Sequence, residues 1–162
     1  MDKNIYVDWI DKVKILQKAV IKNKEGKILA VRRPADAAPR PRPNCWDLPG
    51  GRVEKTDIEK WKSRSGKGDK NDILINALKR EIKEEANLDV KNIRAIQSAS
   101  GFDETKNIFV VAIGYTCDAL NENGLKLSPE HSEYKWVSKD EFAELDIGND
   151  GGLIRSILGK TI

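Results

Sequence analysis

The chain has 162 residues, of which 39% are hydrophobic and 34% are charged, and its 29 basic and 26 acidic residues give a net charge of +3. A chain of this length can bury a hydrophobic core without disulfides or a structural metal. So small a net charge argues against a protein whose surface binds nucleic acid. The two cysteines lack metal spacing, no apolar stretch could span a membrane, and the N-terminus lacks a signal peptide's apolar core, so we expect a cytoplasmic protein that does not bind a membrane.

The first elements predict a β-hairpin that leads to a glycine turn. Apolar residues recur along 12–22 and again along 27–33, and Asn23–Gly26 between them has the residue types that close hairpins. A short apolar segment, 46–51, then ends in Pro-Gly-Gly, which predicts a tight turn.

Two polar segments predict loop insertions. Four of the six prolines fall within residues 34–44, where they remove backbone donors and favour an extended loop. Residues 55–71 are rich in lysine and predict a surface insertion, with a short helix at Asp57–Lys62 that Trp61 anchors to the body. Either insertion could fold over a ligand as a lid or be surface decoration, and the sequence leaves both interpretations open.

A long amphipathic helix is predicted over residues 72–87. Asp72 can cap the free N–H groups of its first turn, and Asn87 stands where a left-handed C-terminal cap is expected. Between them, one apolar stripe recurs with helical spacing and consists of Ile75, Leu78, Ile82 and Ala86.

The remainder of the chain predicts further strands and then closing helices. The strand candidates are 93–100, 108–117 and 134–137, and the helix candidates are 139–145 and 152–158. Strands, a helix, strands and helices in this order predict an α/β (α+β) fold with a mixed sheet between helices. We expect a single domain over residues 1–162.

Three glutamates on the predicted helix carry the strongest chemical signal. Glu81, Glu84 and Glu85 are spaced so that their carboxylates share one face, where like charges repel by about 0.2–0.5 kcal/mol per adjacent pair. A hard divalent cation such as Mg²⁺ would offset this repulsion, and the basic residues of both loops would suit a polyanion beside it. The alternative is a solvated charged face, and Gly50–Gly51 alone is equally compatible with an ordinary turn.

Taken together, the turn and the helix resemble the signature of the Nudix hydrolase superfamily. The two matching stretches are Leu48-Pro49-Gly50-Gly51-Arg52-Val53-Glu54 and Arg80-Glu81-Ile82-Lys83-Glu84-Glu85-Ala86-Asn87-Leu88. The resemblance covers roughly residues 12–146 and implies an α/β/α sandwich. It also implies Mg²⁺-dependent hydrolysis, with Mn²⁺ as a possible substitute, of a pyrophosphate bond in a nucleoside diphosphate-linked substrate. The implied substrates are a nucleoside triphosphate, an oxidised nucleotide or a nucleotide sugar.

The sequence departs from the signature at two points. The interval from Gly51 to Arg80 is about 15 residues longer than the signature allows, and the extra residues fall in the basic insertion. The acidic residue that the signature places in this interval is either Asp57, counted from Gly51, or Asp72, counted back from Arg80. Asn87 replaces the glycine that ends the helix, and asparagine also tolerates the left-handed turn.

The resemblance implies a role for each matching residue. The implied metal ligands are Glu81, Glu84, Glu85 and the backbone of Gly50. Arg80 would orient a catalytic glutamate through a salt bridge. The general base is left open between Glu81 and a later loop that offers Glu130 and Glu133. His131, the single histidine, fits a part of that loop better than a catalyst.

Substrate contacts are less constrained by the sequence. Gly50 and Gly51 would hold phosphate at the metal. Arg32 and Arg33 end a strand that leads toward the expected cleft and could bind phosphate. Trp46 or Phe102 could stack on a base, although both could equally be core residues.

The sequence gives other functions partial support or none. A catalytically silent nucleotide-binding module remains the main alternative because of the insertion and the missing signature glutamate. Cys45 lacks the surroundings expected of an isoprenoid diphosphate isomerase, and the basic loops lack the aromatic pattern of an RNA-binding module. We therefore expect a small-molecule nucleotide as partner, no nucleic acid, and either a monomer or a homodimer.

Overall fold

The structure is a computed structural model and describes residues 12–36, 42–64, 72–148 and 151–160. The strands are β1 (Lys12–Lys22), β2 (Ile28–Arg32), β3 (Trp46–Asp47), β4 (Val90–Asp103), β5 (Ile108–Ala119) and β6 (Glu133–Val137). The helices are α1 (Lys55–Arg64), α2 (Ile73–Ala86), α3 (Lys139–Ala143) and α4 (Gly152–Gly159), with a short 3₁₀ turn at Glu122–Gly124. In the part of the chain described, no helix is both long and apolar enough to cross a membrane.

Six strands of the described residues form one mixed sheet. The long strand β1 lies at its centre, antiparallel to β2 and parallel to β5 over its whole length. On the far side of β5 lies β4, which runs antiparallel to it. The strand β2 also pairs antiparallel with β6 and with the short β3. This topology confirms the mixed sheet that the sequence predicts.

Alternating side chains along the central strands build one hydrophobic core on each face of the sheet. On one face, Ala19 of β1 joins Ile82 and the other apolar residues of α2. On the other face, Val20 packs with Phe142 of α3 and Ile157 of α4. Successive strand residues point to opposite faces, so neighbours in the sequence serve different cores. Helices cover both faces, which confirms the α/β/α sandwich.

Both predicted caps are present on α2. The carboxylate of Asp72 accepts hydrogen bonds from the backbone N–H groups of Leu74 and Ile75 at 2.8 and 3.3 Å. Asn87 ends the helix with φ 54° and ψ 31°, the left-handed conformation expected of it. Such an N-cap side chain is typically worth about 1 kcal/mol. The caps fix where the acidic helix begins and ends, and therefore which way its glutamates point.

Some elements are longer than the sequence predicts. The inserted helix α1 spans Lys55–Arg64 instead of Asp57–Lys62, and β4 begins at Val90 and continues to Asp103. Trp61 was expected to anchor α1 to the body, but its side chain stays 41% exposed. Parts of the two predicted loop insertions, residues 37–41 and 65–71, lie outside the described residues.

Backbone hydrogen bonds fasten the diglycine turn to the central strand. The N–H of Gln17 donates to the carbonyl of Gly51 at 2.8 Å, and the N–H of Ala19 donates to the carbonyl of Pro49 at 2.9 Å. The turn is therefore a continuation of the sheet's hydrogen bonding. Because β1 is central and buried, it holds the turn in a fixed position beside α2.

Candidate active site

Steric constraints act at both positions of the diglycine turn and are stricter at Gly50. Gly50 has φ 133°, a conformation that residues with a side chain rarely adopt, and a Cβ there would overlap the carbonyl of Gln17. A Cβ at Gly51 would overlap the carboxylate of Glu81. The two glycines thus allow the turn to touch strand β1 on one side and α2 on the other.

Two of the three predicted glutamates reach this turn. Oε2 of Glu85 accepts a hydrogen bond from the N–H of Gly50 at 2.8 Å. Oε1 of Glu81 accepts one from the N–H of Arg52 at 3.2 Å. Both glutamate side chains are largely buried. The acidic face of α2 and the glycine turn therefore form one site, although 29 residues separate Arg52 from Glu81 in the sequence.

Arg80 joins the acidic side chains into a network. Its Nε and Nη2 donate to the two carboxylate oxygens of Asp57 at 2.8 and 2.9 Å. Its Nη1 donates to Glu81 at 3.0 Å and to Glu84 at 2.9 Å. A bidentate arginine–carboxylate pair holds the guanidinium in a fixed plane, which orients the glutamates that share it. The Glu84 side chain is 58% exposed and faces solvent beyond this network.

The structure separates the two candidates for the missing acidic position. Asp57 lies on α1, is buried, and pairs with Arg80 while accepting the N–H of Glu54 at 2.8 Å. Asp72 instead caps α2 and has no contact with Arg80 among those described. Asp57, the candidate counted forward from Gly51, is therefore the one that contacts Arg80.

The network shifts the proton affinity of its members in opposite directions. Burial alone would raise the pKa of Asp57, but the hydrogen bonds and charge of Arg80 outweigh it and hold that pKa below its usual range. The same hydrogen bonds raise the pKa of Arg80. Burial raises the pKa of Glu81 above its usual range, although Arg80 partly opposes the effect. Asp57 and Arg80 thus form a permanently charged pair at neutral pH.

A cavity of about 440 Å³ opens beside the diglycine turn. Its lining combines the turn and Glu85 with a wall of positive charge. The cationic lining residues are Lys14, Lys18, Arg33, Arg42 and Arg52, and the acidic ones are Asp47, Glu85 and Glu130. A cavity with this excess of cations suits a ligand that carries several negative charges.

Three of the cations meet at one buried carboxylate. Lys18, Arg33 and Arg42 approach Oδ2 of Asp47 at 3.0, 2.6 and 3.0 Å, and the Asp47 side chain is fully buried. Burial alone would raise the pKa of Asp47, whereas the three cations together lower it to about 2. Within the described contacts, three cations share this one carboxylate at the cavity wall.

A family profile described as NUDIX domain matches residues 17–155. The chain belongs to the NUDIX family. Membership confirms the resemblance and the enzyme class, a Nudix-type pyrophosphohydrolase, that the sequence predicts. No curated protein matches the chain in a sequence comparison.

Solved structures with the same fold include several NUDIX proteins. A MutT protein from Methanosarcina mazei Go1 is 24% identical, with 91% of each chain covered and a TM-score of 0.62. A MutT NUDIX hydrolase from Burkholderia pseudomallei is 20% identical, covers 94% of this chain and 100% of its own, and has a TM-score of 0.64. An Ap4A hydrolase from C. elegans is 23% identical, with 90% and 93% coverage and a TM-score of 0.58. These likenesses establish the NUDIX fold of the chain.

Two residues predicted to bind substrate lie elsewhere in this NUDIX chain. Trp46 is buried in the core beside Phe142, and the cations of Arg32 and Lys135 lie 5.8 and 4.8 Å from its ring centre. Arg32 also donates to Glu133 at 3.3 Å. The cavity lining among the described residues includes neither Trp46 nor Arg32, because alternation along β2 and β3 turns both away from it.

Other predicted residues do line the NUDIX site or lie next to it. Arg33 and Glu130 line the cavity, whereas Glu133, the second loop candidate, pairs with Arg32. Phe102 lies in an adjoining groove of about 430 Å³ between β4, β5 and α4. Leu153 lines both the cavity and this groove, so the two spaces are neighbours.

Sequence reasoning missed the buried cation cluster. Lys18 directly precedes the apolar residues Ala19–Ile21 of β1, and Asp47 lies between Trp46 and Leu48, so both charges lie within or beside apolar segments. A charge that interrupts a buried segment indicates a partner inside the fold. Arg42 was counted within a basic loop, but nothing in its surroundings predicted that it turns inward.

The donor atoms at the turn fit a hard divalent ion, although the site is not a complete cage. Within the described ranges, no group of three acidic, histidine or cysteine side chains is placed to hold a metal. Magnesium typically uses one or two carboxylates and completes its shell with water and substrate phosphates. The carboxylates of Glu81 and Glu85 beside an open cavity meet that requirement.

Proposed function

We propose that this NUDIX protein hydrolyses a pyrophosphate bond in a nucleoside diphosphate-linked substrate with the help of a divalent ion, Mg²⁺ or Mn²⁺. One observation carries the proposal: Glu85 is hydrogen-bonded to Gly50 of the diglycine turn, Glu81 is hydrogen-bonded to the adjacent Arg52, and the cavity that Glu85 and the turn line has mostly cationic charged residues. Carboxylates and cations in one cavity suit a polyphosphate that a metal ion and basic side chains bind together.

We assign Glu81 and Glu85, with the backbone of Gly50, to the metal as placed, and Glu84, which faces solvent in this structure, as a third ligand that would have to change its side-chain rotamer to reach the ion. A bound divalent ion neutralises phosphate charge and lowers the pKa of an attacking water. Arg80 is a positioning residue, because it holds Glu81 and Glu84 through one guanidinium nitrogen while Asp57 fixes the other two.

The cationic wall supplies the substrate contacts. Arg33 and its neighbours Lys18 and Arg42 lie in a largely buried place, where attraction to phosphate is stronger than in water. The backbone of Gly51 can approach a phosphate closely because no side chain intervenes. We assign the nucleobase of the substrate to the apolar groove at Phe102, which adjoins the cavity.

Glu130 is the general base that the placement favours. It lines the cavity from the loop before β6, whereas Glu133 is not among the described lining residues. A carboxylate at the cavity wall can take a proton from a water directed at phosphorus. Glu81 is the alternative base, and the variants below separate the two.

The test is a hydrolysis assay on a substrate panel. The purified protein is incubated with nucleoside triphosphates, oxidised deoxynucleotides, ADP-ribose, nucleotide sugars and dinucleoside polyphosphates, each with Mg²⁺ or Mn²⁺ at mildly alkaline pH. We expect cleavage of one class and a fall in kcat of about 100-fold or more for Glu85→Gln. Glu130→Gln should lose the acidic limb of the pH profile if Glu130 is the base.

A matched control distinguishes the site from a general loss of acidic charge. Glu104 is exposed in the turn between β4 and β5, and Glu104→Gln should retain wild-type kcat. Absence of product from every substrate, with tight nucleotide binding, would instead identify a silent nucleotide-binding module. Full activity of Glu85→Gln would refute the assignment of that carboxylate.

A further inference from the structure

The single histidine is buried at the site and makes no hydrogen bond to the described residues. The side chain of His131 is 6% exposed, and neither of its ring nitrogens has a hydrogen-bond partner among the described residues. It lines the same cavity as Glu85 and the diglycine turn. Burying an imidazole with both nitrogens unsatisfied costs stability, so we expect a bound group, either water or a ligand, to complete it.

The backbone fixes this histidine over the acidic helix. The N–H of Ser128 donates to the carbonyl of Glu85 at 2.9 Å, and the N–H of His131 donates to the carbonyl of Ser128 at 3.1 Å. These two bonds dock the loop onto the end of α2. The loop that carries His131 is therefore held against the C-terminal end of α2.

The contact between His131 and Glu85 is close but is not a hydrogen bond. Nε2 lies 3.2 Å from Oε1 of Glu85, yet the ring is not oriented to donate to it. The other oxygen, Oε2, is already engaged by the N–H of Gly50. Nε2 and Oε1 thus lie side by side at the cavity, each with a lone pair that no described group uses.

This spacing is the one expected for two neighbouring ligands of a metal ion. Donors about 2.1 Å from an octahedral ion and at right angles to each other are about 3.0 Å apart. Resting on the proposed function, we propose that Nε2 of His131 is a ligand, beside Oε1 of Glu85, of the divalent ion that the reaction uses. An imidazole nitrogen favours transition metals, whereas Mg²⁺ prefers oxygen. The site therefore selects an ion such as Mn²⁺ or Co²⁺ over Mg²⁺.

The experiment uses the fact that the chain has one histidine. In ¹⁵N-labelled protein, only two imidazole nitrogen signals exist, and ¹¹³Cd²⁺ serves as the probe ion with and without methylenebisphosphonate. We expect the Nε2 signal to split through coupling to ¹¹³Cd while Nδ1 stays a single line. An unsplit Nε2 signal, with or without cadmium-dependent shifts at Gly50 and Glu85, would overturn the proposal.

A substitution separates a metal ligand from a hydrogen-bond donor to phosphate. His131→Gln places an amide N–H near the Nε2 position but offers no imidazole lone pair. We expect the ratio of Mn²⁺ to Mg²⁺ affinity, measured by calorimetry, to fall about tenfold in this variant. An unchanged ratio in a folded variant would show that the imidazole only donates, and would also overturn the proposal. The cadmium coupling decides the matter if the variant does not fold.

These readouts are independent of catalysis. Hydrolysis by the wild type without cadmium coupling would refute the histidine ligand and leave the proposed function intact. Coupling in a protein that hydrolyses none of the panel would refute the proposed function and leave the ligand assignment intact.

Discussion

Replacing Asp47 by asparagine tests how much the buried cation cluster depends on its single carboxylate. The change removes the negative charge that Lys18, Arg33 and Arg42 share and keeps nearly the same volume. The pKa of Asp47 is lowered from 3.8 to about 2. At about 1.4 kcal/mol per pKa unit, that difference corresponds to about 2–3 kcal/mol of stability. Leaving buried cations unpaired brings the expected loss to about 3–5 kcal/mol at neutral pH.

The pH dependence provides a second check on the same side chain. A carboxyl whose pKa is lowered by folding stabilises the protein above its unfolded pKa and loses that effect as pH falls through its folded pKa. The difference in unfolding free energy between wild type and Asp47→Asn should therefore be constant above about pH 5 and shrink between about pH 4 and pH 2.

Urea unfolding followed by circular dichroism measures both quantities. Asp36→Asn, at an exposed position, is the matched control and should change stability by less than about 0.5 kcal/mol. Inorganic pyrophosphate without metal should raise the Tm of Asp47→Asn more than that of the wild type, because the anion replaces the lost charge. A loss below about 1 kcal/mol, or a difference independent of pH, would refute the reasoning.

Three further predictions follow from the turn, the arginine network and the helix end. Gly50→Ala should lower the free energy of unfolding in urea by about 3 kcal/mol or more, because the φ of Gly50 and the nearby carbonyl of Gln17 both exclude a Cβ. Gly51→Ala should fold but lose hydrolysis, because the added Cβ displaces the carboxylate of Glu81. Asp57→Ala should lower both stability and kcat by freeing Arg80, and Asp57→Glu should restore kcat if only the carboxylate matters; equal kcat in both variants would contradict this. Asn87→Ala should cost about 1 kcal/mol by thermal unfolding, because alanine tolerates the left-handed cap less well, and an unchanged Tm would show that the cap is dispensable.

The sequence predicts most elements of this fold because their signals are local. The stripe on α2, its caps at Asp72 and Asn87, and the alternation along β1 each depend on residues close together in the chain. The signature of the turn and helix is also local. Element lengths were less well predicted, since α1 and β4 extend beyond their strongest patterns.

The parts of the site that the sequence could not predict depend on distant contacts. Counting along the chain allowed Asp57 or Asp72, and only packing of α1 against α2 brings one of them to Arg80. The inward turn of Arg42 depends on contacts with β3 and with the carbonyl of Ile147. Neighbouring strand residues face opposite sides, so of the two adjacent arginines proposed to bind phosphate only Arg33 lines the described cavity.

The anchoring of the diglycine turn to β1 means that the turn and α2 come together independently of the length of chain that connects them. The turn is held by Gln17 and Ala19, α2 is held by its core face, and the two meet directly through Gly50 and Glu85. Because the two parts meet through direct hydrogen bonds, their relative position does not depend on the number of residues between Gly51 and Arg80.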